Sequence, residues 1–149
     1  MNHELTVSET VLINADPAQI WEVLTNPDLI KEYLYGTNTV TDWKPGSEIV
    51  FQGEWEGKSY KDKGVILENI KNKLIKYSYW SGFSGLEDKP ENYNLVIYSI
   101  AEKENGNTAF TWTQIGFASE EAQAHSANGM KGFLGSIKSI VERISAEKL

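Results

Sequence analysis

Residues 119–144 form the one long stretch of this sequence in which apolar side chains recur at helical spacing, and they come last. Between residues 37 and 117 the chain reads instead as strands joined by short turns. A lone helix hides one stripe and a sheet has a face to cover, so the two must cover each other. The order is β-α-α-β-β-β-β-β-β-α. It implies an α+β fold in which a curved antiparallel sheet of about six to seven strands wraps a long C-terminal helix.

The remaining elements fit that frame. Leu5, Val7, Val11 and Ile13 occupy one face of a first strand, with Glu9 the exception among them. Asp16 can cap a short helix, Pro17 suits its first position, and Ile20, Trp21 and Leu24 make its apolar stripe. Asn26-Pro27 interrupts it, and a second short helix ends at Gly36. Turns follow at Lys44-Pro45-Gly46, Glu56-Gly57-Lys58, Lys71-Asn72-Lys73 and the "ENGN" of residues 104–107. Residues 82–92 form a loop.

Ser119 is a good N-cap for the last helix, and Glu120 and Glu121 suit its N-terminal dipole. The helix carries Gly129, Gly132 and Gly135, each costing roughly 0.8–1 kcal/mol relative to alanine. A wheel centred on Phe133 gathers Ala122, Ser126, Gly129, Met130, Ser136, Ile137, Ile140 and Ile144 within about 60°, with Gly132 on the flank and Gly135 toward solvent. The N-terminal half of that face is small and the C-terminal half large. Small residues either allow close backbone approach or leave space, so this helix predicts a filled end and a potentially hollow one. The sheet offers aromatic wall opposite. Phe51 and Trp55 share a strand face, as do Phe110 and Trp112, and Tyr77 and Tyr79, with Trp80 on the other side. These aromatics are either ordinary core or a ligand wall whose Tyr and Trp polar atoms orient a guest.

Composition narrows the partners. A net charge of −7 argues against nucleic acid and anionic membrane surfaces. There are no cysteines, which removes disulfides, thiol catalysis and thiolate metal sites and fits a reducing compartment. "MNHELTVSETVL" has no leader-like apolar region, and no apolar run approaches the ~20 residues of a membrane span, so a cytoplasmic protein is expected. His3 and His125 are the only histidines, too few for a metal site without cysteine, and no cofactor is expected. His125 is either a partly exposed helical residue or a polar group at a cavity rim. No G-x-S-x-G elbow occurs, and "GMKGFLG" lacks the spacing of a phosphate loop and lies inside the helix. Glu54, Glu56, Lys58, Lys61, Asp62 and Lys63 read as the mixed charges of a hairpin surface, although a buried Asp62 could act as an acid or base. The candidate cavity is therefore lined by Phe51, Trp55, Tyr79, Trp80, Phe110 and Trp112 from the strands and by His125, Ser126, Gly129, Met130 and Phe133 from the helix.

Three stretches carry a family resemblance. "INADPAQIWEVLTNPDLIKEY" has Pro17, Trp21, Leu24, Thr25 and Pro27 in place. Gly46, Gly57 and Gly64 punctuate the strands, and Gly132, Phe133, Ile137 and Ile140 repeat a terminal-helix pattern. Together they resemble the START-like (SRPBCC) superfamily, most nearly the branch named after the activator of the heat-shock-protein-90 ATPase. Phe133 stands where a tryptophan is usual, Tyr33 where a second is common, and "NIKNKL" lacks a frequent proline. The resemblance implies a helix-grip fold over nearly the whole chain, as a single domain. Three roles stand: holding an apolar, aromatic or lipid-like small molecule between sheet and helix, motivated by the small-residue half of the helix facing aromatic strands; stimulating a chaperone ATPase as a co-chaperone, which the resemblance alone implies; or cyclase- or hydrolase-like chemistry in the same cavity, with His125 or a buried carboxylate as acid–base group. Ligand binding is the leading expectation, by a monomer or weak dimer.

Overall fold

The computed structural model describes residues 1–147. Its seven strands are β1 (Asn2–Ile13), β2 (Asn38–Val40), β3 (Glu48–Trp55), β4 (Lys58–Ile70), β5 (Leu74–Tyr79), β6 (Asn94–Glu102) and β7 (Thr108–Phe117). They make one sheet in the order β1-β7-β6-β5-β4-β3-β2, with every neighbouring pair antiparallel. The helices are α1 (Pro17–Thr25), α2 (Pro27–Tyr33) and α3 (Glu120–Glu147). This is the helix-grip arrangement expected from the order of elements.

Local chemistry sets the boundaries. Asp16 closes a capping box on α1, its side chain accepting from the Gln19 amide at 2.9 Å while the Gln19 side chain accepts from the Asp16 amide at 3.0 Å. Asn26 ends α1 and caps α2, accepting from the Asp28 amide at 3.0 Å. The Ser119 hydroxyl accepts from the Ala122 amide at 3.1 Å at the start of α3. Between β3 and β4, Glu56 and Gly57 both have positive φ, 51° and 80°, which makes the tight two-residue turn that matches strand twist.

The core lies between the concave sheet face and α3. Ile13, Ile66, Ile75 and Phe110 come from the sheet, Ile20, Val23 and Leu24 from α1, and Met130, Leu134, Ile137, Ile140 and Val141 from α3. The C-terminal half of α3 is bound tightly to what precedes it. Glu142 accepts from the Asn14 amide at 2.9 Å, and Arg143 pairs with both Glu32 oxygens at 3.0 and 3.1 Å. The convex face of β1 and β7 is polar, with Ser8–Thr113 and Thr10–Thr111 hydroxyl pairs at 2.9 and 2.8 Å. Among the described residues no helix is long and apolar enough to cross a membrane.

The glycine helix is rotated from its expected setting. Its buried stripe runs through Met130, Leu134, Ile137 and Val141, about 60° from Phe133, which is half-buried at the edge. Gly129, expected to face the sheet, is exposed; so are Gly132, expected on the flank, and Gly135. Leu134 was not among the residues expected on that face. Phe133 is the largest side chain on this side of the helix, yet it stacks on Trp112 at the edge of the buried stripe rather than forming its centre.

Candidate functional site

Beyond the N-terminal half of α3 the sheet is not closed by side chains. A cleft of about 390 Å³ remains, bounded by Phe51 and Trp55 of β3, Tyr60 and Asp62 of β4, Tyr77 and Tyr79 of β5, Val96 and Tyr98 of β6, and Trp112 and Gln114 of β7. Ser126 and Phe133 supply the α3 side. Leu34, Tyr35 and Thr37 close one end from the segment after α2, and Glu54 and Phe83 also line it. Tyr35, Trp55 and Phe83 are 75%, 58% and 61% exposed, so the mouth has an aromatic rim open to water.

The wall is a continuous aromatic chain. Phe133 stacks on Trp112 at 5.7 Å and 18° between planes. Trp112 meets Tyr98 edge-on at 4.9 Å, Tyr98 meets Tyr77 at 5.7 Å, and Phe51 contacts both Tyr77 and Tyr79 at 5.8 and 5.7 Å. Sheet pleating explains the grouping, because alternate residues of adjacent strands share the concave face. Gly53 belongs to it too. A Cβ there would lie 2.8 Å from the Tyr60 hydroxyl, so its absence lets Tyr60 lie across β3 and bond the Thr37 hydroxyl.

Few polar groups interrupt the wall. The Tyr77 and Tyr98 hydroxyls bond each other at 3.0 Å. Tyr79 donates to Asp62 Oδ2 at 2.6 Å. Burial pushes the Tyr77 and Tyr98 phenols well above their ordinary range, and burial followed by the adjacent Asp62 carboxylate does the same to Tyr79. All three stay protonated at neutral pH. Asp62 is only 7% exposed, and its Oδ1 has no hydrogen-bond partner among the described residues. The Trp112 indole N–H is likewise buried and unpartnered. Unpaired polar atoms of this kind cost about 1–3 kcal/mol each, so they are uncommon where nothing is to meet them.

Of the residues expected to line a cavity, the cleft brings together Phe51, Trp55, Tyr79, Trp112, Ser126 and Phe133. The other five lie elsewhere. Gly129 and His125 are exposed on α3, outside the cleft, a consequence of the helix rotation. Met130 and Phe110 are core residues at 3% and 0% exposure, beneath the filled end. Trp80 lies outside the aromatic wall, its indole donating to the Leu86 carbonyl at 3.2 Å. Asp62, expected on a hairpin surface, is buried instead. The readable signal was the alternation Tyr60, Asp62, Gly64, Ile66, which sets Asp62 on the inner face with Lys61 and Lys63 outside. Tyr98, Tyr60, Thr37 and Phe83 were not singled out, and Phe83 and Thr37 come from loops that carry no period.

The fold has counterparts among known proteins. The family model described as "Activator of Hsp90 ATPase homolog 1-like protein" matches residues 14–142. The solution structure of ChR145 from Cytophaga hutchinsonii is 38% identical, covers 98% of this chain and 99% of its own, and superposes with a TM-score of 0.82. The Aha1 dimer from Colwellia psychrerythraea is 18% identical over 92% of this chain and 96% of that one, with a TM-score of 0.69. PFC0360w, an HSP90 activator from Plasmodium falciparum, is 16% identical over 92% and 96%, with a TM-score of 0.72. At those two identities the likeness concerns the fold. Among curated proteins none matches the chain.

Proposed function

The chain belongs to the activator of Hsp90 ATPase homolog 1-like family, and from that premise we propose that it binds an apolar or aromatic small molecule in the cleft between the sheet and α3. The observation that carries this reading is the cleft itself. It measures about 390 Å³, within the roughly 300–1,000 Å³ of small-molecule sites. Its wall is mainly aromatic, with a few polar atoms left unpaired. A core built only for stability would be closed by side chains at crystal-like density. The exposed rim of Tyr35, Trp55 and Phe83 gives an apolar guest a first contact before it enters.

The rival readings rest on less. Chaperone stimulation draws on the family description and on the names of two structural neighbours. Catalysis through His125 loses its geometry, since that side chain is outside the cleft.

A neutral, environment-sensitive dye such as Nile red tests the binding reading. Wild type is expected to show one saturable site. Ser126→Trp, which places an indole in the cleft from the α3 side, is expected to abolish it while leaving the circular dichroism unchanged. Absence of saturable binding, or equal binding by a folded Ser126→Trp variant, would overturn the reading.

A further inference from the structure

The polar character of the cleft is one-sided. Asp62 and Glu54 are both among its lining residues, and among the described residues that line it none is Lys, Arg or His. Nothing there can neutralise a carboxylate or phosphate on a guest. Asp62 is more than nine-tenths buried, and its Oδ2 is already engaged by Tyr79 at 2.6 Å. Tyr79 thus fixes the carboxyl group and leaves Oδ1, itself covered from solvent, without a donor among the described residues. Around it stand the rings of Phe51 and Tyr79, in contact at 5.7 Å, with Tyr77 and Tyr60 also on the wall. Aromatic faces carry negative potential and attract a cation lying over them. A buried carboxylate inside an aromatic box is the surrounding that stabilises an ammonium group, while an acid guest would meet like charge.

We propose that the cleft is selective for amines: a ligand with an aromatic or apolar body and an ammonium group that donates to Asp62 Oδ1. This rests on the reading of the cleft as a binding site and narrows it, because it sets fatty-acid-like and phosphorylated guests aside.

Three probes of one shape test it by calorimetry on the wild-type protein: naphthylmethylamine, naphthylmethanol and naphthoate. The amine is expected to bind about tenfold or more tightly than the alcohol, the usual advantage of a charged hydrogen bond over a neutral one. The naphthoate is expected to bind weakest. In Asp62→Asn the amine's advantage is expected to vanish while the alcohol still binds. If the alcohol or naphthoate binds as well as the amine to wild type, the amine proposal is overturned and the cleft remains a binding site. If an Asp62→Asn protein that folds keeps the full amine preference, Asp62 is not the acceptor and the proposal fails. If no probe binds and Nile red does not either, the binding reading falls and this proposal with it. The wild-type ranking stands without the variant, so a folding defect in Asp62→Asn leaves the test intact.

Discussion

At the scale of single residues, two glycines decide what the sheet can do. A Cβ on Gly64 would sit 1.6 Å from the Ser78 carbonyl oxygen. Backbone cannot yield that distance without parting β4 from β5 beside the bridge between Lys63 and Trp80. Gly64→Ala is expected to cost about 3 kcal/mol in chemical denaturation. A loss under about 1 kcal/mol would show that the strands accommodate a methyl group there. Gly53 is different: its would-be Cβ meets the tip of a tyrosine. Gly53→Ala is expected to displace Tyr60 from Thr37 and to weaken dye binding more than it lowers stability, as comparison of the two titrations will tell. Much of this detail was hidden in the sequence. Asp62 sits among lysines, and charge alone made it look like surface. Only its place in the alternation from Tyr60 to Ile66 pointed inward, and only the Phe51–Asp62 register sets it within the aromatic wall.

At the scale of elements, α3 is the part the sequence described well in kind and less well in orientation. Ser119, the acidic first turn and the spacing of Ile137 and Ile140 announced a helix, and one runs from Glu120 to Glu147. Its rotation was not legible, because Phe133, Leu134 and Ile137 leave the wheel ambiguous by about one residue step of 100°. Packing against β1 and α1 decided it. The rotation leaves Gly132 and Gly135 exposed with nothing within 4 Å of an added Cβ. No contact in the structure explains either glycine. Gly132→Ala and Gly135→Ala are each expected to stabilise the protein by about 0.5–1 kcal/mol, through helix propensity alone. A raised melting temperature in each variant is the sign to look for, and a lowered one would mean that these positions approach something in the folded state. At the other end of the fold, Asp16→Ala removes the α1 capping box and is expected to cost about 1 kcal/mol.

At the scale of the whole molecule, the buried phenols of the core and the cleft have a consequence for pH. Burial is the leading cause that raises the phenols of Tyr33, Tyr77, Tyr79 and Tyr98 well above their ordinary value. In the unfolded chain these groups titrate near pH 10. The native state therefore keeps protons that the unfolded state releases. Their contribution is fully present below about pH 10 and is lost as pH rises above it, by up to roughly 1.4 kcal/mol per pH unit for each phenol. Urea unfolding followed from about pH 9 to about pH 11 is expected to show this fall, with a shallower slope in Tyr33→Phe. A flat profile would mean that the phenols are not buried as a group. The same burial is what leaves the Trp112 indole N–H without a partner. That proton reports on the cleft more directly than any other group, since Trp112 lies in the wall and its indole N–H has no partner among the described residues. In a heteronuclear NMR titration with naphthylmethylamine, the Trp112 indole resonance is expected to move saturably together with the Phe133 and Ser126 amides. An indole resonance that stays fixed while the ligand is in excess would contradict a small molecule lodged between the sheet and α3.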